Sequence, residues 1–109
     1  MKKLRGVEHH KLQAIAANYN YCLLRIEELR SKKIISNSEN EIIRIYQSYI
    51  YNVRKCFSHF NGLERTILER EYFTPLPTLW WQHLYSRATY YRLRLSISRK
   101  FLLTYEKWK

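Results

Sequence analysis

Two stripes of apolar residues constrain this chain more than anything else in it. Leu12, Ile15, Tyr19, Cys22, Ile26 and Leu29 recur at spacings of three and four, and so do Ile42, Tyr46, Tyr49, Val53, Cys56 and Phe60. Side chains three and four apart share one face of an α-helix, so each stripe defines a long amphipathic helix. The first is expected from about Val7 to Arg30 and the second as far as about Phe60, with a break over Ser31-Lys32-Lys33-Ile34-Ile35-Ser36-Asn37. Ser38 stands three residues before Glu41, the spacing of a capping box, and is expected to start the second helix. Two striped helices joined by a short break predict an antiparallel hairpin. The same stripes also suit a four-helix homodimer through residues 7–60, and the sequence leaves both arrangements open.

Beyond the hairpin, Asn61-Gly62 is expected to end the second helix, with Gly62 in the left-handed position after its last turn. A short helix from Leu63 to Tyr72 follows, with Leu63, Ile67, Leu68 and Tyr72 on its buried face. In Phe73-Thr74-Pro75-Leu76-Pro77-Thr78 the two prolines each remove a backbone donor and fix φ, so this is a loop and the best candidate hinge. Thr78 is expected to cap a short helix over Leu79–Leu84. Ser86 is expected to cap a last helix running from Arg87 towards Tyr105, with Tyr90, Leu93, Ile97, Phe101 and Tyr105 as its core stripe. With only 2 Gly and 2 Pro in 109 residues, the chain lacks the turn residues of an all-β fold. The expected fold is therefore all-α: an N-terminal antiparallel helical hairpin (1–60) and a C-terminal helix-turn-helix domain (61–109).

Charge points to the partner. There are 20 Lys and Arg against 9 acidic residues, all of them Glu, for a net charge of +11. So much charge on a short chain favours a polyanion, nucleic acid first and an anionic membrane second. Residues 74–109 carry 7 basic and 1 acidic side chain, the densest basic segment. No stretch approaches the roughly 18 to 20 apolar residues of a membrane span, and no apolar run follows the basic start Met1-Lys2-Lys3-Leu4-Arg5. Two cysteines without a secretory signal suggest free thiols in the cytoplasm.

A helix-turn-helix needs a short supporting helix, a tight turn, and a recognition helix whose N-terminal end carries small polar or basic residues. Ser86-Arg87-Ala88-Thr89-Tyr90-Tyr91-Arg92-Leu93-Arg94 fits the last of these. With Tyr90 set inward, at about 100° per residue Leu93, Ile97 and Phe101 fall on its side. Ala88, Arg92, Leu95 and Arg99 then point outward, with Arg87 and Tyr91 on a flank. Arginine can bond guanine bidentately or grip phosphate. Arg87, Ala88, Tyr91 and Arg92 are expected to face bases. Ser86, Thr89, Arg94, Arg99 and Lys100 are expected to face phosphates.

Leu63-Glu64-Arg65-Thr66-Ile67-Leu68, followed by Tyr85-Ser86-Arg87-Ala88-Thr89-Tyr90-Tyr91-Arg92-Leu93-Arg94, resembles region 4 of bacterial sigma factors. It resembles more closely the sigma-like phage transcriptional regulators of the ArpU type. The resemblance covers about residues 60–105. It implies a helix-turn-helix fold and sequence-specific binding of double-stranded DNA in transcription regulation, with RNA polymerase as a further partner.

Other chemistries find less support in the sequence. His9, His10, His59, His83, Cys22 and Cys56 form no metal-ligand spacing. No Gly-rich phosphate loop or nucleophile motif is present, and Glu64, Glu69 and Glu71 are explained by a solvated face or by salt bridges to Arg65 and Arg70. No enzyme activity, metal or cofactor is therefore expected. Of the adjacent Trp80 and Trp81, one is expected to anchor the core and one to be partly exposed. The alternative function is a protein-interaction module that binds RNA polymerase or a ribonucleoprotein assembly.

Overall fold

The computed structural model describes residues 2–108, and the side chains of residues 6–107. Its regular elements are all helical: α1 (Lys2–Arg30), α2 (Asn37–Phe57), α3 (Gly62–Leu68), a π-helical segment (Glu69–Phe73) that runs on from α3, and α4 (Arg87–Trp108). The long axis is 52 Å against 29 and 26 Å for the other two. No helix among the described residues is long and apolar enough to cross a membrane.

α1 and α2 lie side by side and run in opposite directions. At the end near the connecting loop, Cys22, Ile26 and Leu29 pack against Ile43 and Ile50, with Ile35 closing the tip. Farther along, the Tyr49 hydroxyl donates to the Ile15 carbonyl at 3.2 Å, and Arg54 Nε donates to the Tyr19 hydroxyl at 3.0 Å. α2 starts two residues earlier than the Ser38–Glu41 pair suggests. Ser36 is the N-cap, its hydroxyl accepting from the Glu39 N–H while the Glu39 carboxylate accepts from the Ser36 N–H. Both pairs have capping-box spacing. The Ser36 pair is also held by an ion pair from Lys32 to Glu39. The buried stripe of α2 differs in its first half. Ile43 and Ile50, seven residues apart, are buried against Cys22, Ile26 and Leu29, and Ile42 is exposed, so the face turned towards α1 here is centred one residue on from the expected stripe.

Gly62 does not end α2. That helix stops at Phe57 with Ser58 as its C-cap, and Asn61 is the N-cap of α3, in a second capping box with Glu64. Gly62 has no positive φ and opens α3. Starting there leaves Leu63 half exposed and turns Ile67 and Leu68 inward.

Past Leu68 the hydrogen bonding lengthens. The Thr74 N–H donates to the Glu69 carbonyl at 2.7 Å, a five-residue step that inserts one extra residue into the helix. Tyr72 and Phe73 are buried as a result, and Asn20 on α1 donates to the Phe73 carbonyl at 2.9 Å.

The helix expected over Leu79–Leu84 is absent, and residues 78–84 form successive turns. Trp80, Gln82 and Leu84 donate to carbonyls three residues back, and Leu79 takes a left-handed φ of 67°. That conformation costs a leucine about 1 to 2 kcal/mol and breaks a helix at its start. The two residues that follow anchor the turn, Trp80 meeting Tyr90 edge-on and Trp81 stacking on it.

Both sides of the 60/61 boundary contribute to one core. Leu12 and Ala16 of α1 and Val53, Cys56 and Phe60 from in and after α2 meet Ile67, Leu68, Tyr72, Phe73, Trp81, Tyr90, Ile97 and Phe101. Phe101 sits at the centre, with its ring 5.7 Å from Phe57, 5.8 Å from Phe60 and 6.0 Å from Phe73. It is fully buried.

Candidate nucleic-acid interface

α4 begins after Ser86, whose hydroxyl accepts from the Thr89 N–H at 3.3 Å and donates to the Thr89 hydroxyl at 2.9 Å. The inward stripe is as the spacing indicates: Tyr90, Ile97 and Phe101 are buried, and Leu93 and Tyr105 are half-buried against the same core. Tyr90 is gripped hardest. Trp81 stacks on it, Trp80 meets it edge-on at 5.6 Å, and its hydroxyl donates to Glu71 at 2.5 Å. Burial, and then the neighbouring Glu71, push its ionisation well above the usual tyrosine range.

The outer face divides into two parts. At the N-terminal end, Ser86, Arg87, Ala88 and Arg92 are exposed, and no hydrogen bond or ion pair holds the side chain of Arg87 or Arg92 among the described residues. Thr89 and Tyr91 are half-buried, Tyr91 lying edge-on to Trp81 at 5.6 Å. Farther along, the cations are already matched. Arg94 pairs with Glu71 at 3.4 Å and lies over the Tyr91 ring at 4.8 Å. Arg99 pairs with Glu8 at 2.5 Å, and Lys100 pairs with Glu64 at 3.1 Å above the Phe60 ring. The glutamates come from α1, α3 and the π-helical segment, so three elements hold α4, each on a different side of it. A shallow depression of about 520 Å³ links Arg92, Ser96, Arg99 and Lys100 along the helix.

Sequence spacing assigned Glu64 and Glu71 to a solvated face or to Arg65 and Arg70. The structure gives them to Lys100, Arg94 and Tyr90 instead. Arg65 caps the carbonyls of Phe57 and Phe60, and Arg70 lies over Trp80 at 5.3 Å. Nothing in the sequence marks Glu8 or His9 as neighbours of α4. Yet His9 Nδ1 lies 2.9 Å from the Tyr72 hydroxyl, which in turn lies 3.1 Å from the buried Ser98 hydroxyl. Burial, then the positive charge of Arg94, hold His9 below its ordinary pKa.

Trp81 is buried and Trp80 half-buried, as expected for one anchor and one partly exposed neighbour. Cys22 and Cys56 are free, buried and in different parts of the core. Among the described residues no group of three or more His, Cys, Asp or Glu could hold a metal ion. The chain matches no protein-family model, no curated protein and no solved structure.

Proposed function

We propose that the protein binds double-stranded DNA sequence-specifically, as a transcription regulator of sigma-like type with the N-terminal half of α4 in the major groove. The observation that carries this reading is the unpaired, exposed pair Arg87 and Arg92 flanking Ala88, on a helix whose opposite side is locked in place through Tyr90. A recognition helix needs fixed orientation and free donors together, because a bidentate arginine discriminates bases only when its backbone is held. Arg87, Ala88, Tyr91 and Arg92 face bases in this reading. Ser86, Thr89, Arg94, Arg99 and Lys100 face phosphates, the last three exchanging a carboxylate for a phosphate on binding. The turns over residues 78–84 take the place of a supporting helix, and the resemblance to sigma region 4 supports the same assignment.

The test is selection of bound duplexes from a randomised pool, repeated with single variants. Arg87→Ala should relax the preference at one position, whereas Arg99→Ala should weaken all sequences alike. Equal effects of both on every sequence would remove the division of roles.

The ion pairs of Arg94, Arg99 and Lys100 favour a second reading. Cations already neutralised internally suit a protein-interaction module, one that binds RNA polymerase or a ribonucleoprotein assembly. Affinity purification with and without nuclease separates the two. A recurrent DNA motif that depends on Arg87 supports the regulator. Polymerase subunits or ribosomal proteins retained after nuclease, without such a motif, support the module.

A further inference from the structure

The cleft between α1 and α2 is filled at one end and open at the other. Phe73 of the π-helical segment closes its near part, packing against Tyr19 and Phe57 at 5.5 and 4.8 Å between rings. Past Phe73 the cleft runs on as two hollows of about 440 and 500 Å³ that share Leu23 and Arg54. Ile26 and Ile50 lie at its floor, 8% and 6% exposed, while Leu23 and Tyr51 stand at 37% and 61%. Three arginines line it, Arg30, Arg54 and Arg65, against one acidic residue, Glu69. Arg54 and Arg65 are oriented through their Nε atoms, by the Tyr19 hydroxyl and by the Phe57 and Phe60 carbonyls. None of the lining residues belongs to α4.

We propose that this cleft is the docking site for an acidic amphipathic helix of a partner protein. An apolar floor between two helices, with an aromatic of this chain already seated at one end, is the shape that helix-in-groove recognition uses. Anchors one and two turns apart would enter beside Phe73 and over Ile26 and Ile50. Arg30, Arg54 and Arg65, set against the single Glu69, select carboxylates on the incoming helix. A second copy of this chain fits poorly, since each copy carries +11 and the two would bring arginines against arginines. A nucleic-acid strand would satisfy the arginines and leave the exposed Leu23 beside them without an apolar partner.

The test uses the full chain and a fluorescent synthetic helix with a leucine stripe and a glutamate face. Saturable binding is expected, with amide shifts in solution spectra confined to residues of the cleft. A matching helix with lysines for glutamates should bind about tenfold more weakly or not at all. Tyr51→Glu and Leu23→Glu alter exposed positions and should leave the helical content and unfolding midpoint unchanged, while weakening the glutamate helix by about tenfold. Arg30→Glu should weaken it too and improve the lysine helix. Lack of saturable binding, equal binding of both helices, or full affinity in Tyr51→Glu overturns the proposal. So does displacement of the helix by a short oligonucleotide, or self-association of the protein that Tyr51→Glu abolishes. DNA selection with Tyr51→Glu should be unchanged, so failure here and failure of the DNA reading are separately visible.

Discussion

Trp81 lies flat on Tyr90, their rings 4.5 Å apart and 9° from parallel. The first residue comes from an irregular turn and the second from the first turns of α4. This stack ties the non-helical stretch before α4 to the helix it introduces. Trp80 meets the Tyr90 ring edge-on, and Glu71 accepts from its hydroxyl, so two rings and one hydrogen bond fix its orientation.

Trp81→Ala should therefore cost about 3 to 5 kcal/mol, the range for emptying a large aromatic site in a core. Trp81→Phe keeps part of the stack and should cost less. Urea unfolding followed by circular dichroism measures both. A loss below about 1 kcal/mol for the alanine variant would mean that the turn can collapse onto Tyr90 without it.

His9 makes stability depend on pH in a known direction. It contacts the Tyr72 hydroxyl and faces Arg94, Glu71 and His10, and burial with the Arg94 charge lowers its pKa from 6.5. The unfolded chain then binds the proton more readily than the folded one. The His9 contribution is complete above about pH 6.5 and is lost as pH falls from there through the folded value. His9→Asn should flatten this part of the profile of unfolding midpoint against pH. A His9 ring signal titrating at or above 6.5 in the folded protein would contradict the assignment.

Glu64→Gln separates the structural from the functional share of one ion pair. Glutamine still serves the capping box with Asn61, and the pair with Lys100 is partly exposed, so stability should change by less than about 1 kcal/mol. Lys100 would then be unpaired. If it faces phosphate, DNA affinity should rise at low salt, and the log–log salt slope should steepen by about one. An unchanged slope would take Lys100 out of the phosphate contacts.

The two thiols should be silent in the native protein. Burial pushes Cys56 up to about 11 and raises Cys22 as well. The thiolate is the reactive form, so labelling by a disulfide reagent near neutral pH should wait for unfolding and proceed at the same rate for both. Rapid labelling of Cys22 alone would reveal local opening at the hairpin tip.

Much of the architecture could be read from periodicity, because the residues that repeat at three and four are the ones that become buried. α1 and α4 follow their stripes closely, from Leu12 to Leu29 and from Tyr90 to Tyr105. Local ambiguity defeated the ends of α2. Ser36–Glu39 and Ser38–Glu41 are equivalent as strings, and only the Lys32 contact and the packing of Ile35 separate them. Asn61-Gly62 fits a helix end as well as a helix start, and the Glu64 carboxylate decided for the start. The turns at 78–84 were out of reach for another reason. Their shape depends on Tyr90 and Arg70, which no local pattern connects to Trp80 and Trp81. The candidate interface divided in the same way. The spacing within α4 indicates which way Arg87 and Arg92 face, but the partners of Arg94, Arg99 and Lys100 lie 23, 91 and 36 residues away.

The π-helical segment has a consequence for how this chain can vary. Its extra residue sets the angle at which Glu71 and Tyr72 meet α4. Deleting any one residue between Glu69 and Phe73 would restore ordinary α-helical bonding and improve the local geometry. It would also swing everything on one side of the cut by about 100°, carrying Glu71 away from Tyr90 and Arg94 and Tyr72 away from His9 and Ser98. Among descendants of this sequence, substitutions in this segment should be tolerated far more readily than a change in its length.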